Sequence, residues 1–214
     1  MLRLSLDGSK DGLNLLFLGA HCDDIEIGCG GTILRLLRDY DIAHVRWVVF
    51  SSNAQRKQEA SNCARAFLEG VDSAKIDVLE FQDGYFSRQY KEIKDYYEGL
   101  KSDFQPDVIF SHYQHDLHQD HRLLSELAWN TFRNHLILEY EIPKYDGDLG
   151  NPNVFVNLDE ALVKQKVAKL MEHYGSQRSK HWFDEETFIS LVRLRGMQSA
   201  CRYAEGFYSR KLTI

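Results

Sequence analysis

The sequence lacks any apolar run that approaches the roughly 20 residues needed for a membrane-spanning helix. Residues 1–11 carry charges and contain no apolar segment followed by a cleavage site, so we expect no secretion signal. The four cysteines show no CxxC spacing, which favours reduced thiols over a disulfide framework. We therefore expect a soluble, cytoplasmic protein, while peripheral contact with a membrane stays open.

Prolines are also scarce, and basic residues are outnumbered by acidic ones. Lys and Arg number 26 against 32 Asp and Glu, which gives a formal net charge of −6 and argues against a nucleic-acid partner. The three prolines lie far apart, and we find no linker, repeat or low-complexity stretch. With 43% hydrophobic residues, the 214 residues are expected to form one domain spanning 1–214. A homo-oligomer stays open.

Short apolar runs alternate with segments of helical periodicity. The predicted strands of the first half are Leu13–Ala20, Val45–Ser52, Lys75–Phe81 and Val108–His112. The predicted helices there are Gly30–Asp39, Arg56–Leu68, Gln89–Lys101 and Arg122–Asn134. This alternation predicts an α/β, Rossmann-like fold, with a mostly parallel sheet flanked by helices on both faces.

The last third of the chain has a different pattern. Two strands are predicted, at Leu136–Ile142 and Asn153–Leu158, and the segment Lys144–Asn151 is expected to be an exposed loop. Two helices are predicted, at Asp159–Tyr174 and Asp184–Ser199, with Asp159 as an N-cap.

Two polar motifs follow apolar runs about a hundred residues apart. His21-Cys22-Asp23-Asp24 follows the first predicted strand, and His118-Gln119-Asp120-His121 closely follows the fourth. Ligands in open α/β sheets gather at the carboxyl ends of the strands, so both motifs should share one edge. Imidazole nitrogens and carboxylate oxygens are preferred ligands of a catalytic divalent metal. The sequence therefore predicts one divalent metal, with zinc favoured and Fe²⁺ as the alternative.

Both motifs resemble the signature of the PIG-L/LmbE family of metal-dependent de-N-acetylases. The resemblance is carried by residues 18–26, by the glycines at positions 28, 30 and 31, and by residues 112–121. Shorter similarities at Arg56 with Glu59, at residues 174–177 and at residues 203–207 extend it over almost the whole chain. The resemblance implies a hydrolase that removes the acetyl group from a small-molecule N-acetylated amino sugar.

The resemblance also implies a role for each residue of the motifs. His21, Asp24 and His121 would bind the metal, which leaves a position for water. Asp23 would be the general base, and a protonated His118 would stabilise the oxyanion and protonate the departing amine. Two roles stay open for Asp120, which could orient the His118 imidazole or cap the helix that follows.

Two further residues belong to this predicted site or lie beside it. Arg56 could bind the substrate through its guanidinium, or could pair with Glu59 on the first turn of a helix. Cys22 replaces the proline that usually follows the first metal histidine in the family, and we expect its thiol to pack without reacting.

Two other functions remain as alternatives. One is a metal-dependent amidase that acts on a substrate other than a sugar. The second is a noncatalytic metal- or nucleotide-binding domain. Nucleotide binding is the weaker reading, because the glycines after the first strand depart from GxGxxG spacing and the preceding aspartates would repel a pyrophosphate.

Overall fold

The computed structural model describes residues 5–6 and 12–213, in which seven strands form one sheet of order β3-β2-β1-β4-β5-β7-β6. The strands are β1 (Leu13–Gly19), β2 (Ile42–Val49), β3 (Ala74–Val78), β4 (Val108–His112), β5 (Leu136–Tyr140), β6 (Val154–Leu158) and β7 (Tyr203–Tyr208). The helices are α1 (Asp24–Asp39), α2 (Ala54–Phe67), α3 (Tyr90–Asp103), α4 (Gln119–Thr131), α5 (Glu160–His173) and α6 (Glu185–Gln198). Strands β1 to β5 pair in parallel, and β7 pairs antiparallel with both β5 and β6. The predicted mostly parallel α/β fold is confirmed.

Helices cover both faces of the sheet because its central strands are apolar on both sides. Along β1, Leu15 and Phe17 join the core under α1, α2 and α5, while Leu16 and Leu18 join the core under α3 and α4. A strand buried on both faces reads as a continuous hydrophobic run, which is how β1 was found in the sequence. Among the residues described, no helix combines the length and the apolar character needed to cross a membrane.

Strand β7 was missed in the sequence and lies between β5 and β6. Its centre is Glu205-Gly206, which breaks the apolar pattern of the segment. Glu205 is nevertheless buried, because its carboxylate accepts hydrogen bonds at 2.9 and 2.6 Å from the N–H groups of Gly31 and Thr32 and at 2.6 Å from Lys166 Nζ. The local sequence does not predict this strand, because its central residue is polar and its partners are distant in sequence.

Helix α1 begins at Asp24, six residues before the predicted start, and bends at Cys29 (φ −142°, ψ 15°). The predicted start at Gly30 therefore marks the second of two helical segments. The glycines allow close packing around the bend: a Cβ at Gly28 would lie 2.2 Å from a ring carbon of Tyr140, and one at Gly31 would lie 2.5 Å from a methyl of Leu158. The expected N-cap at Asp159 is confirmed, with its carboxylate accepting the Leu162 N–H at 2.9 Å.

Candidate active site

The structure brings the two polar motifs together at the carboxyl edge of the sheet. Strands β1 and β4 are hydrogen-bonded neighbours, so the turn after β1 lies beside the end of β4. The backbone N–H of Ala20 donates to Nε2 of His112 at 2.9 Å and joins the two segments directly. His118 caps α4 and His121 lies in the first turn of that helix. Residues from two distant parts of the chain thereby face one small volume.

Three donor atoms of His21, Asp24 and His121 converge there. Nδ1 of His21 lies 3.1 Å from Nε2 of His121 and 3.4 Å from Oδ2 of Asp24. Nε2 of His121 lies 3.5 Å from the same Asp24 oxygen. Donors at the corners of a tetrahedron around zinc, with bonds of about 2.0–2.1 Å, are separated by roughly 3.3 Å. The residues therefore fit three of the four corners around one divalent ion.

The two histidines of this group differ in protonation. Burial lowers the pKa of His121 to about 4, so its ring is neutral and carries a lone pair suited to a metal. Burial also acts to lower the pKa of His21, but hydrogen bonds to Asp120, Asp24 and Asp83 outweigh it and raise that pKa well above its usual value. A metal ion must displace the His21 proton, so metal affinity should fall as the pH decreases.

Carboxylates hold the outer nitrogens of both rings. Oδ2 of Asp116 lies 2.9 Å from Nδ1 of His121. Nε2 of His21 lies 3.1 Å from Oδ1 of Asp83 and 3.4 Å from Oδ2 of Asp120. Such partners fix the tautomer and aim the other ring nitrogen at a ligand. Sequence reasoning missed Asp83, whose only signal is its place in an Asp-Gly turn beyond the third strand, on the same edge of the sheet.

Asp23 is held in a strained and buried position. Its φ of 111° is in the left-handed region, which costs a non-glycine residue free energy and persists only where neighbours impose it. Burial raises the pKa of its carboxyl to about 7, although the positive charge of Arg56 opposes that rise. A carboxyl that titrates near neutral pH is suited to accept a proton and to release it again.

Arg56 binds this carboxylate directly. Its guanidinium donates to Oδ1 of Asp23 at 2.8 Å and also to the carbonyl oxygen of Cys22. The alternative pairing with Glu59 is wrong, because the Glu59 carboxylate instead accepts from the backbone N–H and the hydroxyl of Ser176, at 2.9 and 2.5 Å. Arg56 therefore lies at the site, and at least part of its hydrogen-bond donor capacity is used by Asp23 and by the backbone of Cys22.

The two roles considered for Asp120 do not match its contacts. Its carboxylate accepts the N–H groups of Gly84 at 2.6 Å and Phe86 at 3.3 Å and reaches His21, so it holds that ring rather than His118. The cap of α4 is His118, whose Nδ1 accepts the Asp120 N–H at 3.3 Å. Burial, followed by the nearby positive charge of His21, lowers the pKa of His118. The protonated His118 expected from the sequence is therefore disfavoured in the resting protein.

His112 is a further buried member of the cluster. Its ring stacks on that of His121, with centroids 3.9 Å apart, and its Nε2 also lies 3.3 Å from Oδ2 of Asp24. Within the described part of the chain, three overlapping groups could hold a metal ion, and His21 and His121 each occur in two of them. Because Nε2 of His112 already accepts the Ala20 N–H, the lone pair of that nitrogen is engaged, and the ring contributes by stacking on His121.

Two other side chains considered in the sequence face away from the open site. The Tyr174 hydroxyl, in the stretch 174–177 that resembles the family, is fully buried and donates to Glu26 at 2.6 Å. The Cys22 thiol points to the carbonyl oxygen of Ser51 at 3.4 Å, and burial raises the pKa of this thiol to about 12. A thiol in that state is inert, in accord with the packing role expected for it.

A sequence profile of the PIG-L family, described as GlcNAc-PI de-N-acetylase, matches residues 16–132, which is more than half of the 214 residues. The chain belongs to the PIG-L family. It is 28% identical over 169 residues to the uncharacterized deacetylase YaiS of Escherichia coli K12, covering 74% of this chain and 89% of that protein. Membership in this family supports a deacetylase, and hence a hydrolase.

Solved structures share the fold at lower identity. The N,N'-diacetylchitobiose deacetylase of Pyrococcus horikoshii superposes with a TM-score of 0.68 at 22% identity, covering 94% of this chain and 84% of that one. The 4-carboxy-2-hydroxymuconate hydratase GalB of Pseudomonas putida superposes with a TM-score of 0.75 at 17% identity, covering 94% and 98%. One fold therefore carries both deacetylase and hydratase chemistry, so the reaction must be argued from the site.

Proposed function

We propose that this protein is a metal-dependent hydrolase that removes the acetyl group from an N-acetylated amino sugar. The observation that carries the proposal is the triangle of donor atoms of His21, Asp24 and His121, 3.1–3.5 Å apart, beside a strained Asp23. We propose zinc as the metal, with Fe²⁺ as the alternative. A divalent ion there would polarise an amide carbonyl and lower the pKa of a water molecule.

The side chains provide the proton transfers that amide hydrolysis requires. Asp23 accepts a proton from the attacking water as the new C–O bond forms at the carbonyl carbon. Its pKa of about 7 lets it bind that proton and give it up again near neutral pH. Because His118 is disfavoured in its protonated form at rest, the proton that it delivers to the amide nitrogen is the one that Asp23 took from the water. The C–N bond then breaks and leaves acetate and a free amine. Asp120 and Asp83 keep the His21 ring in place, and Arg56 keeps Asp23 in place.

The sugar substrate is proposed from relatives of this chain. The family description names a GlcNAc-PI de-N-acetylase, and the chitobiose deacetylase acts, by its name, on another N-acetylated amino sugar. Both share an acetamido group on a hexose, which is the group that this site would hydrolyse. The four free cysteines support a reducing compartment, so a cytoplasmic location is part of the proposal.

The test is acetate release from a panel of N-acetylglucosamine derivatives, with protein that has been chelated and then reloaded with Zn²⁺, Fe²⁺ or Co²⁺. The informative variant is Asp23→Asn rather than Asp23→Ala, because asparagine tolerates the left-handed backbone at this position and keeps the side-chain size. We expect acetate release to fall at least about 100-fold, the usual contribution of a general base, while bound metal stays at the wild-type level. The exposed Asp103→Asn serves as the matched control.

The outcomes separate the parts of the proposal. Acetate release by Asp23→Asn at the wild-type rate would exclude Asp23 as the base. Bound metal without release from any sugar would point to an amide substrate of another class, or to a domain that binds metal without turnover. Wild-type protein that binds none of the three metals would contradict the metal site itself.

A further inference from the structure

The loop between β5 and β6 is tied to the site by one lysine. Nζ of Lys144 donates to Oδ2 of Asp116 at 2.8 Å, to Oδ2 of Asp148 at 2.6 Å and to the carbonyl oxygen of Ile142 at 3.3 Å. An ammonium group has three donors, so these contacts use all of them. Residues 145–147 are exposed, as the sequence predicted for this loop, but Lys144 turns inward and its side chain is only 13% exposed.

Asp116 joins this lysine to His121. One carboxylate oxygen, Oδ2, lies within hydrogen-bond distance of both Nδ1 of His121 and Nζ of Lys144. The other oxygen accepts the backbone N–H of His118 at 2.8 Å. The carboxylate is 2% exposed, so these protein groups take the place of water around it. The orientation of Asp116 towards the His121 ring thus depends on partners from two different segments.

Lys144 also separates two buried carboxylates. The Asp148 side chain is 6% exposed, and its Oδ2 accepts the backbone N–H of Leu117 at 2.7 Å. Without the lysine charge, Asp116 and Asp148 would lose their shared cation in a place with little water. Removing one member of a buried ionic group leaves uncompensated charge, which rotation of a carboxylate towards solvent would relieve. Asp116 would then release the His121 ring.

We infer that Lys144 is a positioning residue, which holds Asp116 against Nδ1 of His121 and so couples the loop to the metal site. The inference rests on the proposed function only in taking His121 as a metal ligand. Loss of a hydrogen-bonding partner behind a metal ligand typically weakens metal affinity about 10–100-fold. Since Lys144 acts through one such partner, we expect the lower end of that range.

The experiment measures metal affinity by competition with a coloured chelator, using Zn²⁺ and Co²⁺. We expect Lys144→Met to weaken binding about tenfold and Lys144→Arg to retain most of the affinity, because arginine keeps the charge. The matched control is Lys57→Met, which breaks an exposed ion pair with Glu80 and should leave the affinity unchanged. The double variant Lys144→Met with Asp148→Asn also removes one negative charge, so it should fold as the wild type does and recover part of the affinity.

A second measurement does not need metal. In chelated protein, the ¹⁵N shifts of the imidazole should show His121 protonated at Nδ1 in the wild type and a mixture of tautomers in Lys144→Met. Unchanged metal affinity together with an unchanged tautomer in Lys144→Met would overturn the inference. If the wild type binds no metal, the proposed function fails, and the tautomer of His121 still decides whether Lys144 positions it.

Discussion

At the scale of single residues, Asp23 combines an unfavourable backbone conformation with a carboxyl whose pKa is raised. Its φ of 111° lies in the left-handed region, and burial raises the pKa of its carboxyl to about 7. Both features cost stability and are expected where function requires them. Arg56 opposes the rise in pKa through its 2.8 Å contact, so the guanidinium influences how much of the Asp23 carboxyl, the proposed base, is ionised at neutral pH.

Replacing Arg56 therefore tests how the base is tuned. In Arg56→Gln the pKa of Asp23 should rise by roughly one unit or more, because an opposite charge within hydrogen-bond distance is lost. Since the proposed base is the ionised form of Asp23, activity at pH 7 should fall about fivefold or more and recover as the pH increases. The measurement is the pH profile of kcat/KM, whose acidic limb should move to higher pH.

The same profile distinguishes the substrate-binding role expected for Arg56. If the guanidinium binds substrate only, KM should increase at every pH and the acidic limb should stay where it is in the wild type. Arg56→Lys keeps a positive charge, so in that variant the limb should move less than in Arg56→Gln.

At the scale of elements, helix α1 begins at Asp24 and bends five residues later. The bend at Cys29 frees backbone groups on both of its sides. Lys166 Nζ donates to the carbonyl oxygen of Ile27 at 2.6 Å, and Glu205 accepts the amides that open the second helical segment. A buried ion pair from α5 and β7 thus holds the short segment that carries Asp24, the proposed metal ligand.

Breaking this pair should destabilise the whole protein. In Glu205→Gln the Lys166 ammonium remains buried without its counter-ion, and loss of one partner of a buried pair typically costs about 3–5 kcal/mol. The measurement is the free energy of unfolding from urea denaturation. Lys164→Met is the matched control on the same helix, because it breaks an exposed pair with Glu160 and should leave the midpoint nearly unchanged. An equal midpoint for Glu205→Gln and Lys164→Met would show that the pair does not hold the bend.

The elements found in the sequence are those whose signal is local. Strand β1 is apolar except at Asn14, β4 opens with three apolar residues, and Asp159 caps α5 with its own side chain. Strand β7 and the first segment of α1 were missed because their stabilising contacts join residues 139 to 174 positions apart in the sequence. The partners of Asp120 were wrong for the same reason, since its carboxylate binds amides of a loop 34–36 residues away.

At the scale of the whole molecule, the donor atoms of His21, Asp24 and His121 join two segments that lie a hundred residues apart in the chain. An ion bound to His21 and His121 would be held by the folded chain and not by the unfolded one, in which His121 is far from His21 and Asp24. Binding to the folded state alone stabilises it by about 2.7 kcal/mol when free metal is at 100 times the dissociation constant. The site should therefore act as a cross-link between the turn after β1 and the start of α4.

Metal should consequently raise the melting temperature of the chelated protein. For a chain of this length a gain of about 2.7 kcal/mol corresponds to an increase of roughly 5–10 °C, measured by calorimetry with added Zn²⁺ or Co²⁺. The increase should shrink as the pH is lowered, because His21, whose pKa is raised, must release a proton to bind the ion. Asp24→Asn should abolish the increase, whereas the exposed Asp103→Asn should preserve it. An increase of the same size in Asp24→Asn would place the ion elsewhere, and an increase that grows towards low pH would contradict His21 as a ligand.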